Sequence, residues 1–211
     1  AGFDAFPDNW DDIWTAHEYF QEQGIDTIAF ANLDKWNSGS CILSTLGDRF
    51  TGTAWTESIV LNDGNAKFTD PEFVAALEWL NEMKELFNDD FNAIQHQQAA
   101  GYYINRRAAA NIDGIWTMGY HLANADEDLL QATKVAVMPP VPGGKGEAAA
   151  TSGGPVWSMS VSSKLEGTKM DKAAELTLYL FSEEYSQHVM DSAGMISIHI
   201  VEPTDRDGMH V

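Results

Sequence analysis

The chain has few of the residues on which several common functions depend. Among its 211 residues there is a single cysteine, and 12 Lys and Arg stand against 32 Asp and Glu, for a formal charge of −20 at pH 7. Because Cys41 has no second thiol to pair with, an intrachain disulfide and a metal site with two thiolates are both excluded. The excess of negative charge repels phosphate backbones and anionic lipid headgroups. Binding to nucleic acid or to a membrane surface is therefore disfavoured.

Long apolar runs are missing as well. No run of about 18 apolar residues occurs, so the sequence predicts no membrane-spanning helix. The first residues also lack a basic region followed by an apolar stretch, the pattern of a secretory leader. The chain opens at Ala1 rather than at an initiator methionine, from which we expect a processed or truncated chain.

Catalytic and cofactor motifs are absent from the sequence. The six histidines are scattered, and no HExxH, GxSxG, GxGxxG or P-loop pattern is found. Asp and Glu are so abundant that some pair of carboxylates would lie at glycosidase distance by chance. Such a pair is therefore no evidence for a glycosidase. The sequence therefore predicts no cofactor, no metal and no enzyme.

Helices alternate with short buried strands along the chain. Asn9 or Asp8 can cap a helix whose apolar residues recur every three or four positions up to Gly24, and Pro71 suits the first turn of another helix. Further helices are expected at 95–105, around 173–181 and at 184–192, and strands at 27–30, 108–112, 134–139 and 156–161. This alternation favours an α/β fold.

Aromatic side chains lie beside polar groups at several predicted strand ends. Trp36 follows the strand at 27–30 in a polar loop with Asp34 and Lys35, and Trp116 follows Asp113 after the strand at 108–112. In open α/β sheets ligands bind beyond the carboxyl ends of the strands. A sugar offers apolar C–H faces to an aromatic plane and hydroxyl groups to carboxylates. The alternative is that these tryptophans are core residues, as Trp10, Trp14 and Trp79 on predicted helix faces are expected to be.

Six segments in order resemble the extracellular solute-binding proteins of bacterial ABC importers, in particular the maltose-binding-protein-like family 1. They are PDNWDDIWTAHEYFQEQGIDTIAF, KFTDPEFVAALEWLNEMKELF, AAGYYINRRAAANIDGIWTMGYHL, VAVMPPVPGGKG, GGPVWSMSVSS and AAELTLYLFSEEYSQHVMDSAGMIS. The resemblance implies a periplasmic-binding-protein type II-like lobe, with a short mixed sheet flanked by helices, and a non-catalytic role in carbohydrate capture. It also implies ABC permease subunits as partners, a location outside the cytoplasmic membrane, and membrane attachment only through a lipid anchor absent from this chain.

The resemblance also assigns site residues. Trp36 and Trp116 would be aromatic platforms, with Asp34 and Asp113 as hydroxyl acceptors and Lys35 beside them. Where the chain crosses the cleft between lobes, the backbone of Gly153 and Gly154 would approach the ligand, and Trp157 would begin the crossing strand. This set is the predicted sugar site.

Family members are nearly twice as long, and the resemblance places this chain mainly in the second lobe. Residues 1–152 would be that lobe, and residues 153–211 a returning segment of the first lobe without its partner strands. Met195-Ile196-Ser197 replaces the family's usual turn after Gly194, so the resemblance supports no ligand contact there. Two alternatives remain open: a glycan-active enzyme using Asp34 and Asp113 as its carboxylate pair, and a solute-binding protein for a ligand other than a sugar.

Overall fold

A computed structural model describes residues 2, 5–153, 158–193, 199 and 201–204. The chain divides into two compact units. The first unit is Ala1–Asp113 with Val135–Ser152, and the second is Gly114–Lys134 with Gly153–Val211. The step from Ser152 to Gly153 thus passes from one unit to the other.

The first unit is built on a small parallel sheet. Strand β1 (Asp26–Ala29) pairs with β2 (Ala108–Asn111), with Asp26 opposite Ala108 and Ala29 opposite Asn111. Three of the four β1 residues are buried. Both strands were predicted from their short apolar composition, and their connection through helices makes the class α/β, as expected.

Helices surround this sheet within the first unit. They are α1 (Trp10–Glu22), α2 (Ser44–Thr51), α3 (Thr53–Leu61), α4 (Pro71–Met83) and α5 (His96–Ile104), with a π-helical segment (Ser38–Leu43) before α2 and a 3-10 turn (Lys84–Leu86) after α4. Asn9 caps α1 as predicted, because its side-chain oxygen accepts a hydrogen bond from the Asp12 amide at 2.9 Å. Pro71 is at the first turn of α4, also as predicted.

The core of the first unit lies between α1, β1 and the end of α4. Trp10 packs edge-on against Trp79, with ring centroids 5.1 Å apart. The buried members of this cluster are Trp10, Ile13, Ile28, Phe30, Ile42, Leu46, Phe50, Ala76, Met83, Leu86, Phe87 and Val141. Trp14 and Trp79 pack against it. The expectation that Trp10, Trp14 and Trp79 are core residues is therefore confirmed.

The predicted strand at 134–139 is wrong, because this segment has no regular secondary structure. The alternating residues Val135 and Val137 are 80% and 50% exposed, so the alternation does not mark a buried face. Arg49 donates hydrogen bonds to the carbonyl oxygens of Met138 and Pro139, at 2.7 and 2.9 Å. The Arg49 side chain thus supplies hydrogen-bond donors that a neighbouring strand would supply in the predicted sheet.

The described part of the second unit is helical. Its helices are α6 (Thr117–Asn124), α7 (Glu127–Ala132), α8 (Thr168–Leu180) and α9 (Glu183–Ala193), and the last two confirm the predicted helices near 173–181 and 184–192. α9 packs against α6, where Gly119 lies beside Ala193. Of the predicted strand at 156–161, residues 158–161 are not in a strand, and the remainder lies outside the described residues.

Candidate functional site

Both strands of the sheet are parallel, so their carboxyl ends lie at the same edge, where each is followed by a predicted site segment. The loop after β1 is held in place by the chain around residues 91–94. The amide of Asn32 donates to the carbonyl of Phe91 at 2.6 Å, and that of Leu33 donates to the carbonyl of Ile94 at 3.2 Å. These bonds give the loop a defined backbone path from the sheet edge to Trp36.

Asp34 and Lys35 form the exposed tip of this loop. The amide of Lys35 donates to the carbonyl of Asn32 at 2.9 Å and closes a turn. Lys35 has φ 65°, in the left-handed region, which costs a non-glycine residue about 1 kcal/mol or more. The turn reverses the chain direction and starts a helical segment at Trp36, so three predicted site residues are consecutive on one exposed surface.

Trp36 lies at the beginning of this helical segment and is 36% exposed. Its ring meets His96 edge-on, with centroids 5.7 Å apart. The Asn32 side-chain oxygen accepts a hydrogen bond from the Ser38 amide at 3.3 Å and so caps the first turn. Sequence reasoning missed both His96 and the capping role of Asn32, because Asn32 lies four positions before the helical start at Trp36 and not directly before it.

Asp113 follows β2 and is half-buried. The backbone before it is fixed to β1, since the Ile112 amide and the Asn111 side chain both donate to the carbonyl of Ala29, at 3.2 and 3.0 Å. Burial raises the pKa of the Cys41 thiol to about 12, and the nearby Asp113 charge contributes to the same shift. Asp113 is therefore close enough to Cys41 in the π-helical segment for its charge to act on that thiol.

Trp116 belongs to the second compact unit. It is 40% exposed and directly precedes α6. Its ring lies against Gly114, where a Cβ atom would overlap the indole, so only glycine permits this ring position. The structure thus groups Asp34, Lys35, Trp36 and Asp113 in the first unit, whereas Trp116 is in the second.

Of the two glycines predicted to lie where the chain crosses the cleft, the structure describes only Gly153. Gly153 is exposed, and nothing lies within 4 Å of the place where its Cβ would be, so no protein atom crowds its backbone. Gly154 and Trp157 lie outside the described residues. Their predicted ligand contacts therefore remain predictions.

The exposure of the tryptophans separates two groups. Trp10 is 6% exposed and belongs to the core, whereas Trp36 and Trp116 are 36% and 40% exposed. The two site tryptophans are thus available to a ligand, and the core interpretation does not hold for them. Their role as sugar platforms remains a prediction.

Two further features bear on the chemistry of the surface. Within the described residues, no three His, Cys, Asp or Glu side chains come together as a metal-binding group, and no helix is long and apolar enough to cross a membrane. A concavity of about 460 Å³ runs along α4 and contains none of the predicted site residues. It is lined by Val74, Leu77, Glu78, Asn81 and Glu82.

No family model and no curated protein matches the chain in sequence. Solved structures match it in fold. The bacterial solute receptor AcbH, which has an exclusive substrate preference for β-D-galactopyranose, gives a TM-score of 0.56 at 20% identity, over 65% of this chain and 33% of its own. A chitin oligosaccharide binding protein gives 0.76 at 21% identity, over 98% of this chain and 50% of its own.

A structure from work on xylan utilisation by Caldanaerobius polysaccharolyticus gives a TM-score of 0.76 at 16% identity, over 97% of this chain and 51% of its own. The present chain thus spans about half the length of these last two structures and about a third of AcbH. At such identities the likeness concerns the fold. The chain has a periplasmic-binding-protein-like fold.

Proposed function

We propose that the chain belongs to a non-catalytic carbohydrate-binding protein that delivers its sugar to the permease subunits of an ABC importer. Residues 1–152 would form the second lobe of this protein, and residues 153–211 a returning segment of the first. The protein would act outside the cytoplasmic membrane, in the periplasm or held at the membrane by a lipid anchor.

The exposed Trp36 at the carboxyl end of β1 carries the proposal. An indole next to the carboxylate of Asp34 offers a flat apolar surface and a hydrogen-bond acceptor on one loop, the two features that a sugar ring requires. Asp113 follows the neighbouring parallel strand and adds a second acceptor at the same sheet edge. The similar structures include a galactopyranose receptor and a chitin oligosaccharide binding protein, which supports a sugar as the ligand class.

Asp34 is poorly suited to act as the general acid of a glycosidase. A glycosidase needs one carboxyl group that is desolvated, so that it holds a proton for the leaving group. Asp34 is exposed at the tip of a turn, where water solvates its charge. A role in hydrogen bonding to ligand hydroxyl groups suits this exposed position better than a role as general acid.

The test is a titration of the isotope-labelled chain, followed by the indole N–H signals in NMR spectra. The panel contains galactose, chitin oligosaccharides and xylan oligosaccharides, with amino acids and polyamines for comparison. We expect the Trp36 signal to shift with at least one carbohydrate. Shifts caused only by amino acids or polyamines would contradict the carbohydrate part of the proposal, and release of reducing sugar from an oligosaccharide would contradict the non-catalytic part.

A further inference from the structure

The second compact unit buries almost no apolar surface among the residues that the structure describes. Within those ranges, every buried hydrophobic side chain belongs to the first unit, and Ser186 is the only buried residue of the second. Leu176, Leu178 and Tyr179 of α8 are 57%, 73% and 44% exposed. A unit without a buried core has little hydrophobic stabilisation of its own, so exposed apolar side chains here indicate a contact with another polypeptide.

The exposed apolar residues of α8 lie on two different sides of the helix. Lys172, Leu176 and Tyr179 are separated by four and three positions, so they follow one another along one face. The Tyr185 ring of α9 lies against the Tyr179 ring, with centroids 5.7 Å apart, and supports it. Leu178 is two positions from Leu176, which places it on the opposite side. The face of Lys172, Leu176 and Tyr179 therefore combines two apolar groups with one positive charge.

The charges of α8 suit a contact between two copies of the chain. The chain carries a formal charge of −20, so two copies repel each other over much of their surfaces. In α8, Lys169 and Lys172 balance Asp171 and Glu175. The exposed apolar residues of α4, by contrast, lie on a helix with three carboxylates and no basic side chain. Self-association is therefore opposed less at α8 than at α4.

An antiparallel pairing of two α8 helices matches the groups on this face. If a twofold axis passes at Leu176, the helical rise places Lys172 about 6 Å to one side of it and Tyr179 about 4.5 Å to the other. Each Lys172 ammonium group then reaches the Tyr179 ring of the other copy in a cation–π contact, and Leu176 packs against its counterpart. Lys172 also approaches the negative C-terminal end of the other helix, which Glu183 and Glu184 follow.

We propose that the α8 face formed by Lys172, Leu176 and Tyr179 is a self-association surface, through which two copies of the chain form a twofold-symmetric dimer. This inference goes beyond the proposed function and does not depend on carbohydrate binding. In the single chain Lys172 forms an exposed ion pair with Glu175 at 2.5 Å, and such a pair is weak enough to give way to the dimer contact. One pair of helices buries a small area for a protein–protein contact, so we expect a dissociation constant on the order of tens of micromolar.

Sedimentation equilibrium of the full chain, at concentrations on both sides of that dissociation constant, tests the inference. Leu176→Glu places two carboxylates against each other at the twofold axis and should weaken association at least about tenfold. Leu178→Glu is the matched control, because it makes the same change on the same helix at a more exposed leucine. This control should associate like the parent. A parent chain that stays monomeric, or equal weakening by the two substitutions, would overturn the inference.

Cysteine substitution tests the geometry of the dimer independently of its affinity. A residue at the twofold axis meets its own counterpart, so Leu176→Cys should form a disulfide-linked dimer under a mild oxidant, and Leu178→Cys should not. Both variants should keep the circular dichroism spectrum of the parent, because both leucines are exposed. Equal crosslinking at the two positions would contradict the pairing. Neither measurement contains a sugar, so their failure leaves the proposed function standing.

Discussion

Arg49 donates two hydrogen bonds to the carbonyl oxygen of Ala150, from Nε at 2.9 Å and from Nη2 at 2.7 Å. Its Nη1 donates to the carbonyls of Met138 and Pro139, so one guanidinium group holds both ends of a segment without regular structure. Arg49 is 1% exposed, and burial lowers its pKa. The planar fork of donors replaces the ladder of hydrogen bonds that a sheet would have supplied.

Arg49→Ala should therefore destabilise the first compact unit. The substitution leaves three carbonyl oxygens, one in a buried residue and two in half-buried residues, without their donors and opens a cavity, for a loss on the order of 3 kcal/mol in the free energy of unfolding. Urea unfolding followed by tryptophan fluorescence measures the loss. Arg107→Ala is the matched control, because that side chain is 50% exposed and its substitution should cost less than about 1 kcal/mol. Equal losses for the two variants would contradict the anchoring role of Arg49.

The thiol of Cys41 should react slowly with alkylating reagents at pH 8 in the folded chain and rapidly after unfolding. Thiolate is the reactive form, and burial together with the Asp113 charge raises the pKa of this thiol to about 12. Asp113→Asn removes the smaller of these two causes and should speed the reaction modestly, whereas Asp34→Asn at the exposed loop tip should not. A reaction rate that is the same in all three chains would show that Asp113 is not next to the segment after Trp36.

A pH-dependent part of the stability comes from the bond between Tyr102 and Asp90. The Tyr102 hydroxyl group donates to the Asp90 carboxylate at 2.6 Å, and this bond is the main cause that holds the Asp90 pKa below its ordinary value. A carboxyl group with a lowered folded-state pKa stabilises the fold above its unfolded-state pKa of about 3.9. That contribution is lost as the pH falls through the folded-state pKa.

Tyr102→Phe should consequently cost about 1 kcal/mol in the free energy of unfolding at pH 7 and progressively less towards about pH 3. Phenylalanine keeps the ring that Arg107 covers at 3.7 Å from its centroid, so the cation–π contact survives the substitution. Urea unfolding at both pH values provides the comparison. A cost that does not change with pH would indicate lost packing rather than a lost bond to an ionised carboxylate.

Helices whose first turn is marked by a capping residue or a proline could be predicted from the sequence. The cap at Asn9 and the proline at Pro71 act within one helical turn, and both helices begin where these residues indicate. The π-helical segment and α2 were missed, because the stretch from Ser38 to Ser44 has little apolar periodicity and follows a loop-like polar run. The structure of 134–139 depends on Arg49, which is about ninety positions away along the chain. No local pattern carries that information.

The candidate site could be predicted in part. Polar neighbours distinguished Trp36 and Trp116 from the core tryptophans, and the structure leaves both exposed.

Trp36→Ala should weaken carbohydrate binding and leave the fold intact. Loss of an exposed aromatic platform costs on the order of 1–3 kcal/mol in affinity, whereas loss of a core tryptophan costs about 3–5 kcal/mol in stability. Trp36 is 36% exposed and outside the core cluster, so Trp36→Ala should change the free energy of unfolding of the chain by less than about 1 kcal/mol. Trp10→Ala is the matched control, since Trp10 is 6% exposed and donates its indole N–H to the Pro140 carbonyl at 2.9 Å.

We expect the parent chain itself to bind carbohydrate only weakly. Under the proposed function the ligand is buried between two lobes, and this chain, about half the length of the similar structures, would supply about half of the contacts. Half of a micromolar binding free energy of about 8 kcal/mol corresponds to millimolar binding. We therefore expect the parent chain to bind carbohydrate in the millimolar range by NMR titration, and Trp36→Ala to show no measurable shift in its backbone amide signals. Micromolar binding by the parent would mean that these 211 residues already form a complete cleft. Severe destabilisation of the fold by Trp36→Ala would instead show that Trp36 is a core residue.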